Sequence, residues 1–310
     1  DVAIADHRYA QALSDRVDHL PIRFSTVALG TRATVHRHCL HTTTFQNLAD
    51  LNRVEIFLNR LRPDLLVNAA ACTDVDAVES DSAAAFRLNA DLPGCMARWA
   101  ERNDAMLFHY STDYVFDGEK PEAYLENDET GPLNVYGESN LAGEWAIAAS
   151  KCRHIILRTS WVYSAHGNNF VLSMLRLARE RPVLNIVSDQ TGCPTWARNL
   201  ARVSDEIIGQ LSLRKSETEK DGLYHYCDRT VVSWYDFART IFSIAEELGM
   251  LARQPETKRV NSTEFPQVAQ RPAYSVLNTA AIRQAFKIEP SGMEESLRTC
   301  LQELQDRDQK

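Results

Sequence analysis

His109-Tyr110-Ser111-Thr112-Asp113-Tyr114-Val115-Phe116-Asp117-Gly118 follows a short apolar run, Ala105-Met106-Leu107-Phe108. A continuous apolar run that ends in hydroxyls, a carboxylate and a glycine is typical of a buried parallel strand. Ligands of open α/β sheets bind at the carboxyl ends of such strands. We therefore expect this polar stretch to lie at a ligand-binding edge of a sheet.

Apolar strands alternate with helical patterns on both sides of this stretch. The residue pattern predicts helices over residues 49–61, 83–102 and 136–150, and strands over 64–70, 105–110 and 154–158. Alternation at this spacing indicates the βαβ units of a doubly wound parallel sheet. The second half mixes the two element types less regularly, which indicates a smaller α/β domain. The predicted fold class is therefore α/β and Rossmann-like.

Composition and charge exclude several classes of protein. The chain carries 34 basic and 42 acidic residues, and this net charge of −8 argues against a nucleic-acid binder. It has no apolar run of about 18 residues, so we expect no membrane-spanning helix. Its seven cysteines form no CxxC pair. We therefore expect neither a disulfide framework nor a zinc site, and we expect a cytoplasmic location.

Residues 1–47 depart from what a nucleotide-binding α/β protein should show. Such a protein opens with a strand, a glycine-rich turn that admits a pyrophosphate, and a helix. Here the only glycine before Gly94 is Gly30. Three histidines, His36, His38 and His41, crowd the same segment. A metal site and a solvated polar segment both explain them, and we favour the solvated segment without a metal.

Seven motifs occur in order along the rest of the chain. They are 68–76 (NAAACTDVD), 111–118 (STDYVFDG), 132–138 (PLNVYGE), 141–144 (LAGE), 158–163 (RTSWVY), 189–195 (DQTGCPT) and 271–272 (RP). The ordered set resembles the dTDP-4-dehydrorhamnose reductase family of extended short-chain dehydrogenases. The resemblance implies NADPH- or NADH-dependent reduction of a 4-keto-6-deoxyhexose nucleotide to dTDP-L-rhamnose, a step in polysaccharide biosynthesis. It also implies a Rossmann-like cofactor domain over 1–160, to which part of 196–235 returns, and a mainly substrate-binding domain over 161–310.

The resemblance assigns roles around the sugar carbonyl. Tyr136 matches the family's proton donor, and Thr112 matches the hydroxyl that bonds the substrate oxygen and tunes the tyrosine. Asp113 and Trp161 match substrate contacts. Each has a structural alternative: a tyrosine that packs on the sheet, a threonine that caps its own turn, an aspartate that forms a turn, and a tryptophan that fills the core.

The resemblance also assigns the two ends of the site. Ala71, Cys72 and Thr73 match the segment that passes the cofactor, mostly through backbone atoms, although Cys72 also reads as a small buried thiol. Gln190 resembles the start of a substrate-side loop that continues to residues 194–195. Arg271 resembles an arginine near the nucleotide, where a guanidinium suits a diphosphate. A surface salt bridge is the alternative for this arginine.

Two features depart from the family pattern. The family has Tyr-x-x-x-Lys, whereas the fourth residue after Tyr136 is Asn140. A cation about 4 Å from the tyrosine is worth roughly 4 kcal/mol, or about 3 pKa units, at an effective dielectric near 20. Asn140 can bond a ribose hydroxyl but carries no charge, so we expect slower catalysis. The expected glycine-rich turn also falls near 15–21, which has no glycine and two acids.

Three functions are compatible with this mixture. The first is a family reductase, slowed by Asn140. The second is a non-catalytic binding protein on the same fold, as in the regulatory β subunit of methionine adenosyltransferase, which resembles this family. The third, another sugar-nucleotide enzyme such as an epimerase, is disfavoured by the motifs around Trp161 and 189–195. Divergence, an altered N-terminus and a frameshift upstream of Leu48 each explain residues 1–47. We favour the reductase, with a nucleotide-sugar substrate and a homodimer as its candidate assembly.

Overall fold

The structure is a computed structural model that describes residues 27–28, 48–212, 220–265 and 267–308. The turn expected near 15–21 and the three clustered histidines lie outside these residues. Its strands are β1 (Val27–Ala28), β2 (Leu65–Asn68), β3 (Met106–Thr112), β4 (Arg153–Thr159), β5 (Val162–Tyr163), β6 (Val183–Val187), β7 (Thr191–Gly192), β8 (Thr195–Trp196), β9 (Gly222–His225), β10 (Val232–Ser233) and β11 (Glu256–Val260). Its helices are α1 (Leu51–Leu61), α2 (Ser82–Phe86), α3 (Leu92–Arg102), α4 (Val135–Ser150), α5 (Phe170–Glu180), α6 (Ala197–Ser212), α7 (Trp234–Glu247), α8 (Ala280–Phe286) and α9 (Met293–Asp308).

The main sheet has the strand order β1-β2-β3-β4-β9, and all of its neighbours are parallel. Successive side chains of a strand point to opposite faces, so a continuously apolar strand buries both. Leu66 and Leu107 pack with α1, α3 and α4 on one face. Val67 and Phe108 pack with α6 and α8 on the other. Helices therefore cover both faces, and the predicted Rossmann-like α/β fold is confirmed.

The single helix predicted over 83–102 is wrong in one respect. The structure divides it into α2, a π-helical turn (Arg87–Asp91) and α3. Pro93 lies in the first turn of α3 and has no backbone N–H, so it cannot bond the carbonyl of Asn89 four residues earlier. Gly143 of α4 packs against that carbonyl, because a Cβ there would lie 2.1 Å from the oxygen. The interruption therefore lets α4 approach closely.

A second core lies in the C-terminal half. Helices α5, α7 and α9 enclose it together with the parallel pair formed by β6 and β11. Strand β9 and helix α6, although late in the chain, belong to the main sheet and its core. The domain division at residue 160 stays a prediction. Among the described helices, none is long and apolar enough to cross a bilayer.

Candidate active site

Thr112 and Tyr136 meet at the carboxyl edge of the main sheet. Thr112 ends β3, and its hydroxyl accepts a hydrogen bond from the Tyr114 N–H at 3.2 Å, which begins a 3₁₀ turn. Tyr136 lies in the first turn of α4, whose N-cap Asn134 accepts from the Gly137 N–H at 2.8 Å. The capped helix therefore starts with its tyrosine beside the end of β3.

The two groups interact through their hydroxyls. Burial raises the pKa of Tyr136 to about 12, the negative charge of Asp113 adds to this shift, and the hydrogen bond with Thr112 opposes it. Tyr114 packs edge-on against Tyr136, with ring centroids 5.5 Å apart. The phenol is thus protonated at neutral pH and is available as a proton donor.

Asp113 is the third polar group at this edge, and it is 1% exposed. Its Oδ1 accepts from the Thr112 hydroxyl at 3.1 Å, whereas its Oδ2 has no hydrogen-bond partner within the described part of the chain. Burial raises the pKa of Asp113 to about 7, and hydroxyls of Ser275 and Thr112 limit the rise. Asp113 also begins the 3₁₀ turn Asp113–Val115, whose Phe116 N–H donates to its carbonyl oxygen at 3.2 Å, and its role as a substrate contact stays a prediction.

Asn140 lies one helical turn after Tyr136, as predicted, and is 2% exposed. Its amide nitrogen donates to the carbonyl oxygen of Tyr136 at 2.8 Å. This bond occupies one amide hydrogen within the helix. The other hydrogen and the amide oxygen are the groups that a ribose could use.

The segment Ala71, Cys72 and Thr73 follows β2 at the same edge. Asn89, from the π-helical turn, accepts from the Cys72 N–H at 2.7 Å and donates to its carbonyl at 3.1 Å. The same amide donates to the hydroxyl of Ser139 in α4 at 3.0 Å. Burial, and then the charge of Asp81, raise the pKa of the Cys72 thiol. Asn89 therefore fixes this backbone relative to α4, and the raised pKa of Cys72 reduces its fraction of reactive thiolate.

Trp161 follows β4 at the carboxyl edge of the sheet with φ = 47°, a left-handed conformation that a bulky residue adopts only under constraint. Its ring stacks on Trp234, with centroids 3.5 Å apart and planes 3° apart. A Cβ on Gly192 would lie 2.5 Å from the Trp161 ring. The glycine and the second tryptophan hold this side chain in place.

Gln190 and Arg271 complete the predicted residues. Gln190 is 4% exposed, next to Asp189, whose carboxylate accepts from the N–H and hydroxyl of Ser262. Arg271 forms a bidentate pair with Asp76, at 3.0 and 2.7 Å. This pair and two backbone N–H groups lower the pKa of Asp76 to about 2. The arginine therefore joins the segment after β2 to the C-terminal half.

Sequence reasoning missed a buried ion pair beneath the site. Arg158 of β4 donates to Glu144 of α4 at 2.8 and 2.6 Å, and both side chains are 4% exposed. Ser111, which precedes Thr112, donates to the same carboxylate at 2.5 Å. The Arg158 guanidinium also lies 5.0 Å from the Phe116 ring centroid. The available signals were a glutamate within the apolar stretch 141–149 and an arginine near the end of an apolar strand.

The polar groups that the described residues present at this edge suit the nicotinamide half of NAD(P)H. The backbone after β2, the Tyr136 hydroxyl and the Asn140 amide are neutral polar groups, which match ribose hydroxyls and a carboxamide. The residues expected at the pyrophosphate lie outside the described residues. Within the described chain, no group of three His, Cys, Asp or Glu side chains is arranged to hold a metal ion.

Gly137 sets the distance between α4 and the turn after β3, because a Cβ there would lie 2.2 Å from the Tyr114 carbonyl oxygen. We expect Gly137→Ala to lower the free energy of unfolding by about 1–3 kcal/mol or more, as overpacking does. Gly209 in α6 is the matched control, since a Cβ there meets nothing within 4 Å. Gly209→Ala should raise stability by roughly 0.5–1 kcal/mol, because helical glycine is costly. Urea denaturation measures both, and equal effects would contradict the close approach.

Known proteins resemble this chain in sequence and in fold. A profile of the family described as "RmlD substrate binding domain" matches residues 26–306. The dTDP-4-dehydrorhamnose reductase of Escherichia coli K12 is 41% identical over 79% of this chain and 81% of its own length. A crystal structure of a Clostridium acetobutylicum dTDP-4-dehydrorhamnose reductase has a TM-score of 0.76 and 34% identity, over 83% of this chain and 87% of its own. The Bacillus anthracis reductase, solved in complex with NADP, has a TM-score of 0.75 and 32% identity, over 83% and 86%.

Proposed function

The chain belongs to the RmlD substrate binding domain family, whose members are NAD(P)-dependent oxidoreductases, and we propose that it reduces dTDP-4-dehydrorhamnose to dTDP-L-rhamnose. The observation that carries the proposal is the contact between the Thr112 and Tyr136 hydroxyls at the carboxyl edge of the sheet. A carbonyl reduction needs a proton donor at this place and a hydroxyl that aligns it.

Different residues would bind the cofactor, donate the proton and orient the reacting groups. The backbone of Ala71–Thr73, the Tyr136 hydroxyl and the Asn140 amide would hold the nicotinamide ribose of NAD(P)H. When bound, this cofactor supplies a hydride to C4 of the sugar. Tyr136 donates its proton to the carbonyl oxygen, and the Thr112 hydroxyl orients that oxygen and the phenol.

The proposed contacts with the substrate are inferred from the charge and packing of three side chains. Trp161 offers a flat apolar surface for the sugar ring, and Gln190 offers an amide for its hydroxyls. The Arg271 guanidinium donates twice to Asp76 and once to the carbonyl oxygen of Ala269, and it also bonds the Tyr114 side chain. Its remaining donor is the group that an anionic diphosphate would use. The bidentate contact with Asp76 then fixes the orientation of the Arg271 guanidinium.

Turnover tests the proposal directly. We expect the purified protein to oxidise NADPH, followed by absorbance, in the presence of dTDP-4-dehydrorhamnose. Tyr136→Phe should lower kcat by about 10²–10⁴-fold, because the proton donor is removed. Tyr235→Phe is the matched control: its hydroxyl contacts Thr257 in the second core, so its activity should equal that of the parent. Substrate-independent oxidation, or equal loss in both variants, would overturn the proposal.

A non-catalytic binding protein is the second candidate. The neutral amide at Asn140, directed into its own helix, favours it. Calorimetry with NADPH on the parent protein and on Asn140→Lys separates the two candidates. Binding with turnover supports the reductase, binding without turnover supports the binding protein, and no binding by either variant removes the cofactor from both.

A further inference from the structure

Asp113 is a buried carboxyl whose position the role of a substrate contact does not explain. It follows Thr112 directly, it is 1% exposed, and one of its oxygens accepts from the Thr112 hydroxyl at 3.1 Å. Its second oxygen is buried and has no partner among the described residues. Burying an ionised carboxylate without a full set of partners costs much free energy, whereas burying a neutral carboxyl costs far less.

Tyr136 loses one proton for each carbonyl that is reduced, so the site needs an acid that restores it. In the family pattern a lysine stabilises the phenolate, but here the neighbour one turn away is Asn140, whose amide donates to a backbone carbonyl. Thr112 and Asp113 influence the pKa of Tyr136, and the Tyr114 ring packs edge-on against it. The phenol of Tyr136, the hydroxyl of Thr112 and the carboxyl of Asp113 are thus connected by two successive hydrogen bonds.

Building on the proposed reductase function, we propose that Asp113 re-protonates Tyr136 through the Thr112 hydroxyl. After Tyr136 has given its proton to the sugar oxygen, the Thr112 hydroxyl rotates from Asp113 towards the phenolate and gives it its proton. The carboxyl proton of Asp113, now on the oxygen 3.1 Å from Thr112, passes in turn to the Thr112 oxygen, and a carboxylate remains. Water returns a proton to this carboxylate after product leaves, so each turnover takes one proton from solvent to the alcohol.

The surroundings of Asp113 suit an acid that is protonated near neutrality. Tyr136 faces it from α4, Tyr114 from its own turn, Ser275 from the C-terminal segment, and Cys227 from the segment after β9. The charge of Arg271 bears on Tyr114. Burial is the largest influence on the carboxyl and raises its pKa to about 7. The neutral form also does not repel the phenolate, whereas a fixed carboxylate would.

The pH profile of kcat tests this role. Because Asp113 is the acid, kcat of the parent should fall as pH rises through about 7. Asp113→Asn should lower kcat about tenfold or more and remove this limb, with KM changed less than about threefold. Asp104→Asn, at an exposed aspartate with φ = 52°, is the matched control. It should keep the kcat of the parent and the fall of kcat as pH rises through about 7. A limb retained in Asp113→Asn, or a raised KM with unchanged kcat, would show a substrate contact only and overturn the proposal.

Two measurements do not rely on the Asp113 variant remaining active. Ser275→Ala removes a hydroxyl that lowers the pKa of Asp113, so the limb should move to higher pH. An unmoved limb would contradict the assignment. Infrared spectra of the ligand-free protein at pH 6 should contain a protonated-carboxyl band that Asp113→Asn lacks. Its absence overturns the role of Asp113, whereas absence of turnover with the band present overturns the proposed function instead.

Discussion

Glu144→Gln is expected to lower the free energy of unfolding by about 3–5 kcal/mol, because the Arg158 guanidinium would stay buried without its counter-charge. The shape of the side chain is kept, so the loss reports charge rather than a cavity. Both members of the pair are 4% exposed, and solvent therefore screens their attraction very little. Urea denaturation followed by circular dichroism measures the change.

An exposed pair in the same fold provides the matched control. Arg202 and Glu206 lie one turn apart in α6, at 2.7 Å, with side chains 39% and 38% exposed. Glu206→Gln should cost about 0.5 kcal/mol or less. The double variant Glu144→Leu/Arg158→Met should lose less than Glu144→Gln, since it leaves no charge buried. Equal small losses for Glu144→Gln and Glu206→Gln would mean that the buried pair is not structural.

Asn140→Lys is expected to raise kcat by about tenfold or more if the chain is a reductase. A cation one turn from Tyr136 stabilises the phenolate that forms as the proton leaves, by roughly 4 kcal/mol at an effective dielectric near 20. The pKa of Tyr136 should fall from its value of about 12. A spectrophotometric titration of the phenol and the rate of NADPH oxidation measure the two effects.

The same change should reduce stability when no ligand is bound. Asn140 is 2% exposed, and a buried ammonium without a carboxylate partner costs free energy. Asn140→Met is the matched control, because it has similar bulk and no charge. A rate increase in Asn140→Met as large as that in Asn140→Lys would show that the gain comes from packing and not from the cation.

The sequence could predict the elements and the edge because both depend on local pattern. The apolar run before Thr112 is a strand, and Tyr136 is the second residue of a helix whose N-cap is Asn134. Parallel strands bring their carboxyl ends to one edge, and the family resemblance implies that Tyr136 lies beside Thr112 at that edge. The cofactor end could not be predicted in the same way, since residues 1–47 carry none of the expected glycines.

What the sequence alone determined is the Rossmann-like fold, the family, and the placing of Thr112 and Tyr136 at one edge. Only the tertiary structure decided the partners of the charged side chains. Arg271 pairs with Asp76, 195 positions away, and Glu144 of α4 pairs with Arg158 of β4. Local pattern reports which face of an element is buried, but a charge can be buried only beside a specific partner. That partner is set by how the elements pack, and no single segment of the sequence contains this information.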